Sequence, residues 1–140
     1  MLSANFTLRE MTKSDYAIRR GILNNPGPAE IENLRALCVN VLQPLRDKFG
    51  VVRITSGFRN ASVNIGIGGS RNSDHCRGMA ADLEVPGVSN RMVIAWIRKH
   101  LQFKQLILEY GDSGWVHVSY DPSNLKKEVL SFDGNAYKRI

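Results

Sequence analysis

Cysteine is scarce in this chain, with two among 140 residues. Cys38 falls in a helical apolar pattern and Cys76 in a polar loop, and neither has a CxxC partner. This excludes a disulfide framework and a thiolate zinc cluster. Both read as free thiols, because adjacent residues such as His75 and Cys76 rarely ligate one metal with good geometry. Long hydrophobic runs are also missing. No segment approaches the roughly 20 apolar residues of a bilayer-spanning helix. Met1-Leu2-Ser3-Ala4-Asn5-Phe6 lacks the basic-then-apolar order of a secretory signal. We therefore expect a soluble chain made in the cytoplasm, with no integral membrane association. Repeats, low-complexity tracts and Ser/Gly linkers are absent, so residues 1–140 read as one domain.

Acidic residues are outnumbered, thirteen against nineteen Lys and Arg, which leaves a net charge of +6. Such a balance favours an anionic partner: nucleic acid, anionic lipid or an acidic cell-wall polymer. The basic residues are dispersed, and no basic helix, zinc finger or aromatic-rich single-strand motif accompanies them. A nucleic-acid partner is not expected.

The apolar residues that are present have clear periods. Thr7-Leu8-Arg9-Glu10 has the capping-box form, and Ser14 or Asp15 can cap a second short helix ending at Gly21. From Pro28 to Phe49 apolar residues recur at helical spacing, with Pro44 predicting a kink or restart. Val51–Thr55 and Met79–Val85 read as strands flanking a glycine-rich connection. Ser89 or Asn90 opens another helix, and His100 suits its C-terminal dipole. Gln105–Tyr110 and Trp115–Tyr120 read as a hairpin, and the tail from Glu128 to Ile140 as a second one. Strands and helices without βαβ regularity predict an α+β fold.

Histidine is rare, at three, and two of the three fall in informative places. His75 stands seven residues before Asp82, and His117 lies within Trp115-Val116-His117-Val118-Ser119. Catalytic zinc takes three ligands from His and carboxylate and leaves its fourth position open, so this set has the right stoichiometry for hydrolysis. There is no HExxH, so the ligands must come from strands and loops. Strand alternation places Asp82 with Ala80 and Glu84, His117 with Trp115 and Ser119, and Glu109 with Ile107 and Gln105. Taken singly, His75 would read as a surface-loop histidine, His117 as a half-buried strand histidine and Asp82 as a turn or salt-bridge carboxylate.

In order and spacing, Ser73, His75, Gly78, Ala80 and Asp82 match a Ser-x-His-x-x-Gly-x-Ala-x-Asp pattern, with His117 as a distal strand histidine. The chain thereby resembles the zinc D,D-peptidases: D-alanyl-D-alanine carboxypeptidases and dipeptidases and phage peptidoglycan endopeptidases, whose fold is shared with the hedgehog signalling domain. Ser56-Gly57-Phe58-Arg59 and Asn64 with Gly68-Gly69 resemble further family segments. The likeness runs from about Phe6 to Tyr120, and the opening and first long helix look most like the compact phage-type branch.

The resemblance implies a small, mainly antiparallel sheet with flanking helices, and zinc held by His75, Asp82 and His117. It also implies a water nucleophile acidified by the metal to a pKa of about 7. Glu109 is the expected general base, with Asp112 as the fallback. In many relatives the carboxylate lies nearer the distal histidine than Glu109 does, and a longer hairpin loop would restore its place. Trp115 stands where some relatives carry a second histidine. Arg59 is implied to bind a substrate carboxylate through its two-donor fork, and Ser73 to bind substrate or support a ligand.

The implied activity is cleavage of the peptidoglycan stem peptide, at a D-Ala bond or at the L-Ala to D-Glu bond. The implied enzyme is a monomeric phage lysis or prophage hydrolase that reaches the wall after release from the infected cell. The alternative is a non-catalytic hedgehog-like zinc module with a structural or wall-binding role.

Overall fold

The computed structural model describes residues 1–70 and 72–140. The chain begins with two short capped helices. Thr7 caps α1 (Leu8–Thr12), its hydroxyl accepting from the Glu10 N–H at 3.0 Å. Ser14, rather than Asp15, caps α2 (Asp15–Arg20), which ends at Gly21 in the left-handed region, φ 66°. There glycine avoids the steric cost a side chain would carry.

The expected long helix forms in three parts: α3 (Pro28–Leu37), a π-helical turn (Cys38–Leu42) and α4 (Gln43–Phe49). Pro44 explains the interruption. It has no N–H to donate, and its ring would press on the carbonyl of residue 40 in an unbroken α-helix. The π turn relieves this, with the Gln43 N–H donating to the Cys38 carbonyl, one residue further back than in an α-helix. The apolar stripe continues across it, since Leu34, Leu37, Val41, Leu42 and Leu45 are all buried.

Six strands make one sheet: β1 (Arg53–Ser56), β2 (Ala80–Glu84), β3 (Gln105–Glu109), β4 (Trp115–Ser119), β5 (Glu128–Phe132) and β6 (Tyr137–Arg139). Their spatial order is β1-β2-β4-β3-β5-β6, and every pair is antiparallel except β3 with β5. The fold is α+β, as expected. Both predicted hairpins form. The parallel pairing of the tail onto β3 was not foreseen, and it follows from the edges left open: β2 occupies the free side of β4, while the outer side of β3 remains available.

Alternation divides the sheet's two faces. Ala81, Leu83, Leu106, Leu108, Val116 and Val118 point into one buried cluster with the Pro28–Phe49 helix and α6 (Asn90–His100). Burying such side chains contributes roughly 1.5–3 kcal/mol each for the larger ones. The opposite face carries Asp82, His117 and Glu109. A helix, α5 (Ala61–Gly66), also forms inside the glycine-rich connection, capped by Asn60 accepting from the Val63 N–H at 2.9 Å.

Candidate metal centre

Three elements deliver three ligand-type side chains to one point. Antiparallel pairing of β2 with β4 sets Asp82 directly opposite His117. His117 Nδ1 lies 3.0 Å from Asp82 Oδ1. His75 arrives from a 3-10 turn (Asp74–Arg77), its Nε2 3.4 Å from the same oxygen. One ligand atom from each residue lies within 4.8 Å of the others, so the group could hold a metal ion.

The motif residues around His75 have specific tasks. Ser73 caps the turn, its hydroxyl accepting from the His75 N–H at 3.2 Å. Gly78 ends the turn at φ 75°, where a Cβ would sit 2.5 Å from the Glu30 carbonyl oxygen. His75 is buried, and its Nδ1 lies 2.7 Å from the Gly57 carbonyl. Since a carbonyl only accepts, Nδ1 donates to Gly57, and Nε2 is the ring nitrogen turned toward Asp82. The Arg59 N–H donates to the His75 carbonyl at 3.1 Å, so Gly57 and Arg59 grip His75 by ring and backbone. Gly57 must be glycine, because a Cβ there would be driven into the Met11 carbonyl oxygen.

Two supports escaped the sequence reading. Lys104 Nζ donates to both Asp74 carboxylate oxygens, at 3.1 and 3.0 Å, and ties the His75 turn to the start of β3. Trp115 faces Glu109 across the β3–β4 ladder, and its indole N–H donates to Glu109 Oε2 at 2.8 Å. Neither pairing has a local sequence signal.

Electrostatics separate the two carboxylates. Burial pushes Asp82 up, yet hydrogen bonds from His117 and His75, with their charges, outweigh it and hold Asp82 well below the ordinary range. Burial, then the negative charge of Asp82, push Glu109 above its ordinary value, against the pull of His117, Trp115 and Arg59. An anionic ligand beside a second carboxylate of raised basicity suits metal-assisted proton transfer. Two imidazoles and one ionised carboxylate also fit zinc with a position left open.

These residues line a cavity of about 540 Å³, together with Arg59 and Ser73. Arg59 Nε is buried without a partner among the described residues. Asp112 stands elsewhere: its carboxylate accepts from the Arg91 N–H at 3.0 Å at the start of α6. The structure thus brings Glu109, but not Asp112, to the cavity.

A family model described as Peptidase M15 matches residues 4–119, which include all of these side chains. The chain belongs to the Peptidase M15 family. The likeness to zinc D,D-peptidases drawn from the motif is borne out, and the protein is a peptidase. No curated protein matches the chain. The M15 match ends at Ser119, the last residue of β4, and leaves β5 and β6 outside it.

Proposed function

We propose that this M15 peptidase is zinc-dependent and hydrolyses peptide bonds in the stem peptide of bacterial peptidoglycan. The bond is either a D-Ala bond or the L-Ala to D-Glu bond. The reading is carried by the convergence of His75, Asp82 and His117 beside Glu109 in one cavity. His75, Asp82 and His117 would hold the metal. When bound, zinc supplies a Lewis-acid charge that polarises a peptide carbonyl and acidifies water.

The chain's own residues supply the rest. Glu109 takes a proton from attacking water and returns it to the leaving amine, a task favoured by its raised pKa. Trp115 fixes which way the Glu109 carboxylate points. Arg59, with an unpaired buried donor, suits a carboxylate on the substrate. Ser73 acts by capping the turn that presents His75.

No helix among the described residues is long and apolar enough to cross a membrane. The net charge of +6 favours approach to an anionic wall. We take residues 1–140 as one monomeric catalytic unit, since one chain supplies every residue of the site, and place it in a phage lysis or prophage role, acting after release from the cell.

Zinc content and hydrolysis of purified peptidoglycan, measured on Glu109→Gln and His117→Ala, test the reading. Glu109→Gln is expected to keep stoichiometric zinc and lose hydrolysis, whereas His117→Ala is expected to lose both. Wild-type turnover in Glu109→Gln would overturn the assignment of the base. Bound zinc without any wild-type hydrolysis would favour the non-catalytic module.

A further inference from the structure

The sheet aligns four residues in one row across its outer half. Trp115, Glu109, Phe132 and Tyr137 are successive register partners on β4, β3, β5 and β6. All four line the cavity that holds the candidate ligands. Glu109 therefore has an aromatic ring on each side, and two of the three rings in the row come from β5 and β6, outside the M15 match.

The rings form a contiguous cluster in which only Phe132 and Tyr137 stack. Phe132 and Tyr137 stack with centroids 4.4 Å apart and planes inclined by 26°. Tyr110 links them to Trp115, with centroids 5.8 Å from Phe132 and 5.3 Å from Trp115. Strand alternation alone would turn Tyr110 to the opposite face from Glu109. A left-handed backbone, φ 60°, ends the strand and redirects the ring, and its N–H donates to the Phe132 carbonyl at 2.9 Å. A non-glycine residue in that region is strained, and the tail hairpin helps to hold it there. Tyr137 remains 57% exposed at the mouth. Burial and then the charge of Glu109 push its phenol above the ordinary value.

The exposed Tyr137 ring, on the edge strand and held by stacking on Phe132, is matched by a ligand with a flat apolar face and a polar rim. The alanine and glutamate residues around the bonds at issue offer no such face, whereas a sugar ring presents C–H groups on its face and hydroxyls at its edge. The electron-rich ring faces attract those C–H groups, and the Tyr137 phenol can bond a hydroxyl.

We propose that Tyr137, backed by Phe132 on the β5–β6 hairpin, forms a sugar-stacking subsite of the cleft, which binds the glycan to which the stem peptide is attached. This rests on the peptidoglycan reading above and adds to it a contact beyond the peptide.

The test compares kcat/KM for a stem peptide carrying its disaccharide with that for the same peptide without sugars. The zinc-loaded wild type is expected to prefer the sugar-bearing substrate by about tenfold. Tyr137→Ala should pull that ratio toward one, while Tyr137→Phe, which keeps the ring, should retain most of it. No wild-type preference, or an unchanged ratio in Tyr137→Ala, would overturn the subsite and leave the peptidase reading intact. Hydrolysis of neither substrate would remove that reading and the subsite with it.

Discussion

Glu109 is held between opposing influences. Burial and Asp82 favour its protonated form, while the Trp115 indole N–H, at 2.8 Å, favours the anion. A base acts only when ionised, so the acid limb of kcat/KM should report the Glu109 carboxyl. Trp115→Phe removes a donor that stabilises the charged form, so the carboxyl pKa rises and the limb moves to higher pH. A pH profile of the two proteins checks this, and an unmoved limb would show that the hydrogen bond does not tune the base. Removing Glu109 as base should cost about 10²–10⁴ in rate.

At the scale of elements, the segment after β1 acts as a support for His75. Gly57 meets Met11 on one side and accepts from His75 Nδ1 on the other, so both demands fall on one residue. Gly57→Ala should force the strand end away from α1 and cost about 1–3 kcal/mol of stability, as overpacking does. It should also weaken zinc binding about 10–100-fold by displacing the carbonyl that orients His75. Urea unfolding of the metal-free protein and a zinc titration separate the two effects.

Much of this was legible in the sequence. His75, Gly78 and Asp82 belong to one local motif, and strand alternation placed Asp82, His117 and Glu109 on compatible faces before any partner strand was known. Contacts set by tertiary pairing were not legible. Trp115 meets Glu109 only because the ladder register puts them opposite, and Lys104 reaches Asp74 from thirty residues away. Helix α5 was hidden because glycines dominate the segment after it, although Asn60 ahead of Ala61 was a cap signal that could have been read.

For the whole molecule, the apolar cluster and the candidate metal centre lie on opposite faces of the sheet. Leu83, Leu106 and Val118 are packed against helices independently of the ligands. Metal removal should therefore leave a cooperatively folded protein. It should lower Tm, because an ion that binds only the native state stabilises it by mass action. Calorimetry with and without EDTA checks both points, and loss of the unfolding transition in EDTA would mean that the metal holds the core together.

The central claim is that one chain uses His75, Asp82, His117 and Glu109 to cut the peptidoglycan stem peptide. Mass analysis of the fragments released from purified peptidoglycan by the zinc-loaded protein, beside an EDTA-treated sample, tests it most directly. The account predicts peptide fragments ending at one defined bond, lost on chelation and restored by zinc. Intact peptidoglycan in the presence of stoichiometrically bound zinc would contradict it.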